Sequence, residues 1–236
     1  MSEYVLGVDG CTEGWLYCRL EVQTHRANFG IVSMFSDLLT EFKSAEFIGI
    51  DIPIGLWDER KPRACDVEAR KLLGQPRGSS VFPAPARSLI GLESYGEANS
   101  VSKALYGKGL SAQAHGICKK ILEVDQLMDP SLQTHVVEVH PEVCFWGIQD
   151  KPLSHSKRTS EGYEERRQLL QPVLGLELPE RSNWRSVGIR RGAAPDDMLD
   201  AAVAANSARQ LLAGTGRRVP ERPEIDPRGL RMEINF

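Results

Sequence analysis

Two short apolar runs each end on an aspartate, and this pattern limits the possible folds more than any other in the chain. Tyr4-Val5-Leu6-Gly7-Val8 leads into Asp9, and Phe47-Ile48-Gly49-Ile50 leads into Asp51. Runs of this length and make-up read as buried strands. Both acids are then expected to leave one sheet at the same edge, and an acid at the end of a buried strand needs a partner. A second pair, Asp197 and Asp200, lies at the start of an Ala-rich stretch, spaced so that both fall on one face of a helix's first turns. Like charges brought together repel unless a cation sits between them, and an all-oxygen set suits Mg²⁺ or Mn²⁺. The expectation is a metal site built from Asp9, Asp51, Asp197 and Asp200.

The elements around these acids follow in a definite order. Residues 15–22 and 27–33 read as two more strands, joined by the turn-rich Gln23-Thr24-His25. Ser36 fits the N-cap of a short helix through Lys43. Residues 56–110 are rich in Pro and Gly and read as an insertion, with a helix over 64–73 closed by Gly74. Ser111 is expected to cap an amphipathic helix running to Met128, followed by a strand over 135–139 and a helix opened by Pro141. A second insertion spans 141–191 and carries a helix over 161–174. Asp196 then fits the N-cap of the last helix. Residues 215–236 read as a C-terminal tail with an edge strand at 231–234. This order matches an α/β chain of ribonuclease-H-like type, a three-layer fold with a mixed five-stranded sheet and helices on both faces. One domain over 1–214, carrying the two insertions, is expected.

Charge and cysteine usage exclude several classes. No apolar run approaches the roughly 20 residues of a membrane span, and the N-terminus lacks a basic-then-apolar leader pattern, so a cytoplasmic protein is expected. The five cysteines are scattered and include no C-x-x-C pair, which argues against a zinc cluster or disulfide framework. The net charge of −3 is unevenly spread. Residues 57–87 carry seven Lys/Arg against four Asp/Glu, and residues 151–191 nine against five. Both basic stretches fall in the expected insertions, a distribution that suits metal at the floor of a site and phosphate at its walls.

Four segments carry a resemblance over nearly the whole chain: Gly7-Val8-Asp9-Gly10-Cys11 with Gly14-Trp15, Asp51-Ile52-Pro53-Ile54-Gly55, Glu138-Val139-His140-Pro141-Glu142, and Asp196-Asp197-Met198-Leu199-Asp200-Ala201. Together they resemble domain-of-unknown-function family 429, whose members are predicted to be ribonuclease-H-like nucleases. The segment Asp197-x-x-Asp200-Ala201 is also similar to the same place in RuvC-type Holliday junction resolvases. The resemblance implies a metal-dependent nuclease that hydrolyses phosphodiester bonds with two metal ions. It also implies roles for Glu138, His140 and Glu142: a carboxylate completing the metal shell, and a histidine that contacts phosphate or relays a proton. A satisfied structural histidine and a Glu142 that only favours a helix N-terminus remain the alternatives.

Substrate walls are expected in the basic insertions. Arg63 and Arg70 lie on the helix over 64–73 or at its start, and Ser79 and Ser80 in the following turn offer hydroxyls to a phosphate oxygen. Lys157 and Arg166 are the candidates for a second wall. The substrate is then a nucleic acid or a nucleotide, and the chain is compatible with a homodimer. Other readings of the same fold are a non-catalytic nucleic-acid-binding module, a small-phosphoester or nucleotide hydrolase, and a phosphotransferase. The last expects two duplicated domains with glycine-rich phosphate loops, and the sequence has neither.

Overall fold

The computed structural model describes residues 3–59, 61–189 and 191–236. In chain order the elements are strands β1 (Tyr4–Cys11), β2 (Gly14–Glu21) and β3 (Ala27–Val32), helix α1 (Phe35–Glu41), and strand β4 (Ile48–Ile50). Helices α2 (Ala64–Leu73), α3 (Tyr95–Tyr106) and α4 (Ala112–Leu127) follow, then strand β5 (Val136–Glu138). Helices α5 (Pro141–Gln149), α6 (Ser160–Leu174) and α7 (Pro195–Leu212) come next, and strands β6 (Arg218–Ile225) and β7 (Arg231–Asn235) end the chain.

Where the sequence suggests one domain over 1–214, the contacts divide the chain into two compact units. The first combines Met1–Asp51, His135–Arg218 and Asn235–Phe236; the second combines Ile52–Thr134 with Val219–Ile234. The stretch expected as the insertion at 56–110 falls wholly in the second unit, together with most of the segment expected as a tail.

The first unit is built on a five-stranded mixed sheet in the order β3-β2-β1-β4-β5. The β1-β2-β3 meander is antiparallel, and β4 and β5 run parallel to β1. Gly7 of β1 pairs with Gly49 of β4, which pairs with Val137 of β5. Paired residues share a sheet face, so the two glycines open a channel on one side. Helix α7 lies in that channel. A Cβ on Gly7 would stand 2.1 Å from the Ala205 nitrogen, and one on Gly49 would stand 2.9 Å from the Ala204 oxygen. The alanines of α7 are the matching requirement on the helix side, since only small side chains let backbone approach backbone. Helix α1 covers the opposite face, where Phe35 packs on Trp15 with ring centroids 5.6 Å apart. Helices α5 and α6 pack against α7.

The second unit holds α2, α3, α4 and most of the two-stranded β6–β7 ribbon. An ionic network ties it together: Arg87 bonds Asp125 of α4 at 3.1 Å and also bonds Asp226, while Arg228 reaches Asp125 at 3.0 Å. Helix α3 lies where the sequence suggests irregular chain. Its caps are locally encoded: the Ser94 hydroxyl accepts from the Glu97 N–H, and Gly107 takes the left-handed conformation at the C-terminus.

Two expected caps fall elsewhere. Met34 occupies the N-cap position of α1, so Ser36 lies inside the helix. Helix α7 starts at Pro195, which makes Ala194 its N-cap and leaves Asp196 in the first turn. All five cysteines are buried, and none is in a disulfide. No helix among the described residues is long and apolar enough to cross a membrane.

Candidate functional site

Asp9 and Asp51 reach the same place because the sheet register carries them there. Two residues beyond the Gly7–Gly49 pair, alternation returns both side chains to the face that α7 covers. The ladder continues past the end of β4, with the Asp51 N–H donating to the Val8 carbonyl at 2.9 Å. The backbone contact between α7 and the two glycines sets the helix's height over the sheet. Its first turns, carrying Asp197 and Asp200, thereby meet the strand-end acids.

The electrostatics record the convergence. Burial raises the Asp9 carboxyl well above the usual carboxylate range, and the charges of Asp51, Asp200 and Asp197 raise it further, with Lys157 opposing. Asp51, though partly exposed, is pushed up to about 6, by burial first, while His140 pulls it down and Asp200 raises it. Asp197 also rises to about 6, mainly through burial, opposed by the Ala194 N–H and reinforced by Asp196 and Asp200. Asp200, only 1% exposed, is raised by burial, with Lys157 and Arg166 acting in the other direction.

Lys157, on the connection between α5 and α6, supplies the cation within reach. Its Nζ lies 2.7 Å from Asp200 Oδ2 and 3.5 Å from Asp196 Oδ2. The Asp200 charge above all, together with Asp9 and Asp196, holds the ammonium in its charged form. Asp197 is partly committed elsewhere: its Oδ2 accepts the Ala194 N–H at 2.8 Å, closing the start of α7.

Beside this cluster lies a buried pair. Arg166 of α6 is fully buried and donates to Glu142, in the first turn of α5. Its Nη1 also donates to the Gly162 and His155 carbonyls, at 2.9 and 3.2 Å. Four buried polar atoms here have no hydrogen-bond partner: Asp200 Oδ1, Glu142 Oε2, His140 Nδ1 and Arg166 Nε. Buried polar atoms are nearly always satisfied, so orphans gathered around one acid cluster mark a place where stability has been given up. Among the described residues no three His, Cys, Asp or Glu side chains stand ready as a metal-ligand set, and the Lys157 ammonium lies against Asp200 instead.

A comparison with protein-family models matches residues 7–225 to the family described as Protein of unknown function (DUF429). The chain belongs to the DUF429 family. Every acid of the cluster lies within the matched segment of this DUF429 chain. No curated protein and no solved structure matches it.

The remaining expected site residues divide by position. Glu138 pairs with Ile50 and so shares the face of Val8, opposite to Asp9 and Asp51. It is buried there. His140 sits at the N-cap of α5, close enough to Asp51 to lower its pKa. Lys157 stands inside the acid cluster rather than at a wall, and Arg166 is spent on Glu142 and two carbonyls. Arg63, Arg70, Ser79 and Ser80 belong to the second unit. Arg63 is buried, ion-paired with Asp66 at 2.5 Å and bonded to the Ile54 and Gly55 carbonyls. Arg70 donates to the Val81 carbonyl at 2.5 Å. The hydroxyls of Ser79 and Ser80 donate to the Pro76 and Arg77 carbonyls, so neither proton is free for a phosphate oxygen.

Sequence reasoning missed Asp196 as a partner of Lys157. Pro195 was the available signal, because proline at the first helical position puts the cap at Ala194 and Asp196 inside the first turn.

Proposed function

We propose that this chain is a metal-dependent phosphodiester hydrolase of ribonuclease-H-like fold, acting on a nucleic acid or nucleotide. The observation that carries the reading is the burial of Asp9 among Asp51, Asp200 and Asp197, which raises its pKa well above the usual range. Structural carboxylates are paired; a buried like-charge group drawn from two strands and one helix is costly to the fold and is the mark of a functional site. The sheet order, the antiparallel meander and a last helix lying over β1 and β4 support the fold assignment.

The donor chemistry suits a hard divalent cation, although the four carboxylates do not stand as a closed ligand set. The donors are all oxygen, and they include Asp200 Oδ1, a buried atom with no partner. Asp9, Asp51, Asp200 and Asp197 would hold Mg²⁺ or Mn²⁺. Bound there, the metal would supply a water nucleophile near neutral pH and charge to stabilise the leaving oxygen. The chain's own groups do the rest. Strand ends and a helix start fix the carboxylates, so little reorganisation is needed at the moment of reaction. His140 Nδ1, buried beside Asp51 and bonded to nothing, is placed to take or give a proton. Lys157, with its Nζ 2.7 Å from Asp200 Oδ2, offsets part of the cluster's negative charge.

One observation favours a smaller substrate as the second reading. Several side chains expected to grip a polyanion, Arg63, Arg166, Ser79 and Ser80, make internal hydrogen bonds. A mononucleotide or simple phosphodiester needs fewer free cations than a duplex. Cleavage of duplex DNA, single-stranded RNA, a branched DNA, mononucleotides and bis-p-nitrophenyl phosphate, each with Mg²⁺ or Mn²⁺ and with chelator, tests both readings. Metal-dependent hydrolysis of none of these would overturn the proposal.

A further inference from the structure

We propose that Lys157 is a displaceable internal counter-ion: its ammonium occupies the acid cluster in competition with the divalent cation and withdraws when the cation enters. This rests on the reading of the cluster as a metal site. The contact is direct, with Nζ 2.7 Å from Asp200 Oδ2 and 3.5 Å from Asp196 Oδ2. Asp200 is 1% exposed, whereas the lysine side chain is 41% exposed. One partner of the pair is thus locked in the core, and the other has open solvent along its stem. Four rotatable bonds let an ammonium move several ångström without any change of backbone.

The backbone that carries Lys157 is itself pinned. Arg166 Nη1 holds the His155 carbonyl at 3.2 Å and the Gly162 carbonyl at 2.9 Å, on either side of the lysine. Thr159 caps α6, with its hydroxyl accepting from the Gly162 N–H at 3.0 Å. The N–H of Thr159 in turn bonds the Ser156 carbonyl at 3.0 Å. The loop's main chain is thus held on both sides of Lys157, while the lysine stem runs along open solvent, as a two-position lysine requires. Arg166 is the positioning residue, acting through the loop rather than on the carboxylates.

Compensation is also incomplete. Lys157 touches Asp200 and Asp196 and is felt by Asp9, Asp51 and Asp197, with Arg166 and His140 each helping at a single acid, and Asp200 Oδ1 still has no partner. A divalent cation supplies twice the charge, and an ammonium left at the same carboxylate would repel it. The two cations therefore exclude one another at Asp200.

Calorimetric Mn²⁺ titration of the full chain tests this on wild type, Lys157→Met and Asp51→Asn. Lys157→Met should bind Mn²⁺ at least about tenfold more tightly than wild type, about 1.4 kcal/mol. In parallel, acetylation of wild-type Lys157, read by peptide mass spectrometry, should accelerate several-fold when Mn²⁺ is added, because the amine leaves its carboxylate. That second readout needs no variant and decides the matter should Lys157→Met fail to fold. If wild type takes up no Mn²⁺, or takes it up equally well in Asp51→Asn, the metal-site reading falls and this inference with it. If uptake depends on Asp51 while Lys157→Met binds no more tightly, or Mn²⁺ leaves Lys157 acetylation unchanged, the inference alone is overturned.

Discussion

A Cβ on Gly7 would stand 2.0 Å from the carbonyl oxygen of Ala201, so β1 and α7 meet there backbone to backbone. No rotamer relieves that clash. Gly7→Ala must push the helix off the sheet, and overpacking of this kind costs about 3 kcal/mol or more. Gly49→Ala, whose Cβ would lie 2.9 Å from the Ala204 oxygen, is expected to cost less. Urea midpoints of the two variants give the order directly; equal midpoints would show that α7 does not rest on Gly7. Because the same contact sets the height of Asp197 and Asp200 over the strand ends, Gly7→Ala should also weaken Mn²⁺ uptake.

Asp200 separates a catalyst from a relic. Asp200→Asn keeps the size of the side chain but removes the charge that a divalent cation needs, so the chain should fold while phosphodiester cleavage falls by orders of magnitude. Asp196→Asn is the control, since Asp196 lies in the first turn of α7 and its 3.5 Å contact with a half-exposed lysine is worth little. Full activity in Asp200→Asn would remove this carboxylate from the mechanism.

The cation-free protein should lose stability as pH rises through the range in which the cluster ionises. Asp51 rises from 3.8 to about 6 in the folded chain, so the native state binds its proton more tightly than the unfolded state does. Its contribution is then fully present below about pH 4 and is lost as pH rises through 6. Asp197, also raised to about 6, acts in the same direction. Asp51→Asn removes one of these titrations. Its urea midpoint should therefore exceed that of wild type at pH 7.5 and approach it at pH 4.5. A pH-independent difference would mean that Asp51 titrates normally in the fold.

What the sequence made legible was whatever depends on near neighbours. Asp9 and Asp51 could be placed because each follows a short apolar run, and Asp197 with Asp200 because helical spacing is local. Lys157 could not, because its place is set by Arg166 reaching 11 residues back to the His155 carbonyl and by Glu142, 24 residues away. Nothing in a basic stretch distinguishes an arginine that faces solvent from one that, like Arg63, is spent on Asp66 and two carbonyls. In sequence Gly7 and Gly49 are ordinary members of apolar strands; their main role, the close approach of α7, depends on the register. The division into two units was equally hidden, since segments distant in sequence build each one.

The buried Arg166–Glu142 pair makes a last prediction, with stability as its readout. Arg166→Met leaves the Glu142 carboxylate buried without its partner, and breaking such a pair from one side costs about 3–5 kcal/mol. Replacing both, as Arg166→Met with Glu142→Gln, removes the stranded charge and should recover a large part of that loss. The double variant still lacks the bonds from Arg166 to the His155 and Gly162 carbonyls, so the loop bearing Lys157 stays loosened. Its Mn²⁺ affinity should therefore move toward that of Lys157→Met even though most of its stability is recovered. Thermal midpoints that are additive across the two substitutions would show that Arg166 and Glu142 are not coupled. An unchanged Mn²⁺ affinity in the double variant would show that Arg166 does not position the lysine.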